Sequence, residues 1–202
     1  METNGGEINE NDKKFMERAF ELAEEALKSA EVPVGCILVL NGEEVACGRN
    51  DVNRSKNPTN HAEMKMIEQL KLWCTQHKKT LTEVFQEATL YVTLEPCIMC
   101  ACALYHLKIK RIVYGAANER FGGIHSVGGR EKYASDHEIE VICGLDKERS
   151  VQMLKNFYDT ENPFCPEEKR RHRTKQSTCI PRRAWWSWWT YCLWHFTYAV
   201  IG

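Results

Sequence analysis

The sequence predicts an α/β fold: a three-layer α/β/α sandwich around a mixed five-stranded sheet. Three observations predict it. Helix-period and β-rich runs alternate along the chain. A hairpin with an Asn41-Gly42 turn stands near the start. Two later β-rich runs flank a stretch opened by Pro96. The order helix, hairpin, helix, strand, helix, strand, strand, helix builds helices onto a sheet.

Each element rests on its own pattern. Residues 13–30 place Phe15, Ala19, Leu22, Ala26 and Leu27 on one helical face, with acids and lysines opposite. Residues 32–40 and 43–48 form the hairpin strands around Asn41-Gly42, a favoured two-residue turn. Residues 49–60, rich in Asn, Ser, Asp and Pro, read as a loop. Residues 61–77 are helical, with Met64, Ile67, Leu70 and Leu72 apolar. ATLYVTL, residues 88–94, has the character of a buried strand. A helix follows from Pro96 to about residue 107, then the strand RIVYG at 111–115. Residues 119–136 are a Gly-rich loop. A fifth strand falls at 139–142, and an amphipathic helix at 146–158. There is no internal repeat.

The 202 residues fit one domain with room for a real core. Residues 1–12 are polar and are expected to be disordered. The domain is expected over 13–162, a basic tail over 163–183, and an apolar, unstructured or atypical tail over 184–202 that carries five of the six tryptophans. A net charge of −1 excludes a chain that attracts nucleic acid as a whole, so any basic footprint must be local. Ten cysteines in a secreted chain would suggest disulfides, but the N-terminus is polar and acidic, without an apolar signal region. A reducing compartment is therefore expected, cytoplasmic or nuclear.

The chemistry gathers in two motifs. Residues 94–104 read LEPCIMCACAL. Cys97 and Cys100 at a helix start could hold a metal, form a redox pair or fill a helix face. Upstream, NHAEM places His61 and Glu63 at the start of another helix. One His and two Cys make a zinc site with three protein ligands, leaving a fourth position for water. A helix N-terminus favours thiolate over thiol. Zinc lowers the pKa of such a water to about 7, and a neighbouring carboxylate can move its proton. Glu63, two residues after His61 and itself no ligand, suits that role. The redox reading uses only the two cysteines and leaves His61 and Glu63 unexplained.

At these residues the sequence resembles the tRNA-specific adenosine deaminases of the cytidine deaminase-like superfamily. The matching motifs are EVPVGCILV (31–39), GRN (48–50), NHAEM (60–64), YVTLEPCIMCACAL (91–104), VYGAANERFGG (113–123) and LKNFY (154–158), spread over residues 13–162. WCTQHKKTLTEVF and ERFGG point within that family to the catalytic subunit of the eukaryotic wobble-position heterodimer. The resemblance implies a cytidine deaminase-like fold. It implies zinc on His61, Cys97 and Cys100, with Glu63 carrying protons during conversion of adenosine to inosine at position 34. Asn50 matches the family's base-contacting Asn, and Val34 and Ala62 would border the base. The implied partners are tRNA and a homologous, catalytically degenerate subunit. The loop after Phe121 would contact partner or RNA, or be a plain flexible loop.

Competing readings use the same motifs. One is a deaminase of free nucleobases or nucleotides, of guanine or cytidine type; another is a non-catalytic, zinc-stabilised scaffold, for which Glu63 would be superfluous. Lys108, Lys110 and Arg111 form one basic cluster that could meet phosphates or face solvent. Lys169, Arg170, Arg171, Arg173 and Lys175 form a second, which the resemblance favours for tRNA. Residues 184–202 approach the ~20 residues of a bilayer span. Their Trp and Tyr prefer the interface to the bilayer centre, so no membrane partner is expected.

Overall fold

A computed structural model describes residues 8–159. The elements are α1 (Glu10–Lys28), β1 (Gly35–Leu40), β2 (Glu43–Arg49), α2 (Val52–Ser55), α3 (Ala62–His77), α4 (Leu81–Phe85), β3 (Thr89–Leu94), α5 (Ile98–His106), β4 (Arg111–Ala116), a 3-10 turn (Arg130–Tyr133), β5 (Glu140–Cys143) and α6 (Lys147–Asp159). The expected basic and Trp-rich tails lie outside the described residues. Among the described residues, no helix is long and apolar enough to cross a membrane.

The sheet is mixed, in the order β2-β1-β3-β4-β5. β1 is antiparallel to both β2 and β3, while β3, β4 and β5 run parallel. The hairpin forms as expected: Asn41 and Gly42 both take positive φ, 52° and 82°, as a turn matched to strand twist requires. Alternate residues of each inner strand feed two cores. Cys36, Leu38, Leu90, Val92 and Ile112 pack with Met66 and Leu70 of α3 and Leu104 of α5. Ile37, Val39, Tyr91 and Val113 pack with Met16, Ala19 and Phe20 of α1 and Met153 of α6. These are the three layers. All six residues of β1 are buried, as a strand covered on both faces requires.

The structure departs from the sequence expectation at three places. Residues 9–12, expected within a disordered N-terminus, are ordered, because Asn9 and Asp12 form a reciprocal capping box. The loop 49–60 contains the short α2. The short α4 is nucleated by a second capping box, Thr80 with Glu83.

The Asp12 carboxylate has a further role. It accepts from Arg111 Nη1 at 2.8 Å, Arg111 Nη2 at 3.0 Å and the Tyr91 hydroxyl at 2.8 Å. This fork ties the first turn of α1 to β3 and β4. Arg111 also pairs with Glu140 at 2.9 Å, so it belongs to the fold rather than to a phosphate-binding cluster. Burial alone would raise the Asp12 pKa, but hydrogen bonds from Arg111, the Asn9 amide and Tyr91 hold it below its ordinary value. A depressed pKa means that the stabilisation is fully present above the unfolded value, near 3.9, and is lost as pH falls through the folded value. Asp12→Asn is expected to lower unfolding free energy by about 3 kcal/mol at pH 7. Urea unfolding of both proteins should show that gap shrinking below about pH 4.

Candidate zinc site

One end of the sheet gathers the chemistry. β2 pairs Arg49 with Gly35, and β3 pairs Leu94 with Ala116. The start of β1 and the ends of β2, β3 and β4 therefore meet at the same edge. Val34, Asn50, Cys97 and Asn118 lie just beyond those strand ends, and all line one cavity of about 500 Å³. α3 also starts here. Gly48 lets it approach: a Cβ there would stand 2.1 Å from the Ala62 carbonyl oxygen and 2.6 Å from the Met66 nitrogen.

His61 is the N-cap of α3 and Cys97 the N-cap of α5, with Cys100 one turn into that helix. The His61 Nδ1 atom lies 3.4 Å from Cys97 Sγ and 3.7 Å from Cys100 Sγ. All three donor atoms fall within 4.8 Å of one another. A zinc ion with bonds of about 2.0 Å to nitrogen and 2.3 Å to sulfur, meeting at a tetrahedral angle, would set N and S about 3.5 Å apart. The donor set therefore fits zinc in type and in spacing.

The electrostatics favour anionic sulfur at one position. The Cys97 thiol is drawn down to about 4, first by its hydrogen bond with Cys100 and, against burial, by the His61 ring. Cys100 moves the other way, pushed up by sharing that bond with Cys97 and by burial. His61 is raised, chiefly by its hydrogen bond with Cys97. Glu63 is 3% exposed and lines the cavity. Burial raises its pKa above the ordinary carboxylate value.

The structure thus brings together His61, Glu63, Cys97, Asn50, Val34 and Ala62 around one cavity, with Cys100, the third candidate donor, fully buried beside His61 and Cys97. Lys169, Arg170, Arg171, Arg173 and Lys175 lie outside the described residues. Several lining residues had been given no role by sequence reasoning. Ile98 and Met99 come from α5, Asn118 and Phe121 from the loop after β4, and Tyr158 from the end of α6. Phe121 and Tyr158 sat inside the quoted motifs ERFGG and LKNFY, but nothing local showed that they reach the same rim. The role of Glu31 was also hidden. Its buried carboxylate accepts from Asn50 Nδ2 at 3.1 Å and from the Asn53 and Arg54 amides at 3.0 and 2.7 Å. It thereby fixes the Asn50 amide and leaves Oδ1 and one N–H uncommitted by that bond.

Comparison with known proteins agrees with this geometry. Residues 9–116 match the cytidine and deoxycytidylate deaminase zinc-binding region. A Xenopus laevis protein, tRNA-specific adenosine deaminase 2, is 45% identical over 170 residues, covering 83% of this chain and 97% of the relative. Its Danio rerio namesake is 48% identical over 163 residues, 78% of this chain and 75% of the relative. The chain belongs to the tRNA-specific adenosine deaminase family. A solved structure from a study of A-to-I editing by tRNA:A34 deaminases at the wobble position superposes with a TM-score of 0.60 at 34% identity, covering 70% of this chain and 99% of that one. The cytidine deaminase-like fold and the zinc cofactor follow from this membership and from the donor set.

The candidate metal donors and Glu63 should separate by metal content. His61→Ala and Cys97→Ala are expected to purify with well under one zinc per chain, and Glu63→Ala with about one. Metal analysis by mass spectrometry reads this directly. A zinc-depleted Glu63→Ala protein would make that carboxylate a ligand.

Proposed function

We propose that this chain hydrolyses adenosine to inosine at the wobble position of tRNA anticodons, as the catalytic subunit of a heterodimer with a homologous, catalytically degenerate partner. The observation that carries the reading is the His61-Cys97-Cys100 cluster beside a buried Glu63, in a chain whose relatives are named tRNA-specific adenosine deaminases. The reading places the activity in the cytoplasm or nucleus.

The reaction consumes one water and one adenosine and releases ammonia and inosine. Zinc, when bound to His61, Cys97 and Cys100, supplies a Lewis acid that makes water a nucleophile near neutral pH. Glu63 takes a proton as water adds to C6 and delivers it to the ring nitrogen N1. It then moves a proton to the leaving amine. Its raised pKa suits both halves of that task, since a carboxylic acid with a raised pKa gives and takes protons nearer neutral pH. Asn50, held by Glu31, meets the purine edge, while Val34 and Ala62 bound the base. The cavity of about 500 Å³ has room for one flipped-out base.

The test is inosine formation in a tRNA carrying adenosine at position 34. Wild type with the homologous subunit is expected to form inosine, and Glu63→Ala with the same subunit to fall by at least about 10³-fold. Inosine from the chain alone would remove the partner requirement. No inosine from a zinc-loaded complex would overturn the tRNA reading and favour free nucleosides or bases as substrates.

The basic residues 169–175 are proposed to hold the tRNA backbone. Removing residues 167–202 should weaken tRNA binding and reduce the slope of log affinity against log salt by about one per lost phosphate contact. Filter binding across a salt series checks this, and an unchanged slope would place the contacts elsewhere.

A further inference from the structure

We infer that Glu95 is a positioning residue. Its buried carboxylate shapes the loop after β4 and thereby sets Phe121 at the mouth of the cavity, where the base next to the target stacks. The inference rests on the proposed function for its substrate, an unpaired stretch of nucleic acid.

Glu95 immediately precedes Pro96-Cys97 and is 1% exposed. Its Oε1 accepts from the backbone amides of Ile124, His125 and Ser126 at 3.1, 2.8 and 3.0 Å. Its Oε2 accepts from the Asn118 amide at 2.9 Å and from the Ser126 hydroxyl. These five donors are all neutral. Burying a carboxylate without a cationic partner is unfavourable, and convergent backbone amides are the arrangement that can compensate it. The loop is therefore folded around an anion. Gly122 passes so close that a Cβ there would stand 2.3 Å from Glu95 Oε2.

The same loop is stitched to the proposed ligand segment. Ile98 N donates to the Phe121 carbonyl at 2.9 Å, and Gly123 N donates to the Pro96 carbonyl at 2.8 Å. These bonds flank a bridge between Cys97 and Gly122. Between the Glu95-bound Asn118 and this bridge, the chain must turn outward, and Phe121 occupies the bend. The Phe121 amide donates to Asn118 Oδ1 at 3.1 Å. Its ring is 55% exposed, lines the cavity and has the Arg120 guanidinium 5.2 Å from its centroid. An exposed ring beside an arginine is a stacking surface for a base of any identity. A loop with only backbone–backbone turns would let this ring wander. The carboxylate at its centre fixes the turn on both sides of the bend.

Gln in place of Glu95 must turn an NH2 group toward backbone N–H groups on one side or the other, so it cannot satisfy the loop. The experiment compares Glu95→Gln, Ser126→Ala and Phe121→Ala in the full chain, zinc-loaded and assembled with the partner subunit, using adenosine-34 tRNA. Amide exchange at Ile124, His125 and Ser126 is expected to speed up about tenfold or more in Glu95→Gln, with a smaller rise at Ile124 and His125 in Ser126→Ala. KM should rise about tenfold in Glu95→Gln and in Phe121→Ala, with kcat within about twofold and zinc still near one per chain. Phe121→Ala should leave the exchange unchanged. Unchanged exchange in Glu95→Gln would overturn the inference, as would a loosened loop with unchanged KM, or an unchanged KM in Phe121→Ala. Should Glu95→Gln fail to fold, the same comparison holds for Ser126→Ala, expected to show faster exchange and a raised KM. Should wild type form no inosine, the function reading fails first, and the exchange arm still decides whether Glu95 holds the loop.

Discussion

Two helix N-termini are aimed at one point, and the site depends on that constraint. α3 and α5 begin at His61 and Cys97, whose side chains stand 3.4 Å apart. Each N-terminus carries a partial positive charge. Two such ends facing each other are unfavourable unless anions lie between them. The Cys97 sulfur, whose pKa is drawn down, supplies negative charge there, and the Glu63 carboxyl stands in the first turn of α3. Neither His61 nor Cys97 makes a side-chain capping hydrogen bond. By contrast, α1 and α4, which carry no chemistry, both begin with complete capping boxes. Each missing cap costs about 1 kcal/mol. A bound ion at the same point would offset it, so metal and fold are expected to support each other.

The sheet topology explains why this point is also a cavity. Because the hairpin is antiparallel and β3 and β4 are parallel, four chain segments meet at one edge. The stabilising fork of Asp12 with Arg111 sits toward the other end of β4, where Arg111 pairs with Thr89 at the strand starts. Among the described residues, the most buried ion pair thus lies away from the cavity edge. Cavity residues can be chosen for chemistry, while α1 is fastened elsewhere.

Much of this was legible in the sequence. The hairpin was marked by Asn41-Gly42, the buried strands by apolar runs, and the metal donors by residue type and spacing at two helix starts. The hidden carboxylates share one physical cause. Asp12, Glu31 and Glu95 are acidic residues whose distant partners are 79 to 99, 19 to 23, and 23 to 31 residues away in the chain. Locally, an acid in a polar or Pro-flanked stretch reads as solvated surface. Only the folded chain shows the amides and guanidinium that receive it. α2 and α4 escaped for another reason: at four and five residues they are too short for hydrophobic periodicity.

Three buried carboxylates, Glu63 and Glu95 lining the cavity and Glu31 bonded to its Asn50, differ in how their environment treats them. Glu95 accepts from five neutral donors, and these bonds overcome the upward push of burial and hold its pKa below the ordinary value. Glu31 accepts from two backbone amides and the Asn50 side chain. Both have their lone pairs committed to the scaffold. Glu63 is buried as deeply, yet its pKa is raised because burial outweighs the bond from its own backbone amide and the pull of His61. The five donors make Glu95 hold a proton less readily than an ordinary carboxylate. A buried carboxylate whose bonds do not offset its desolvation takes a proton more readily than an exposed one. Between Glu95 and Glu63 the shift changes sign, as the proton-carrying role proposed for Glu63, two residues from His61, requires.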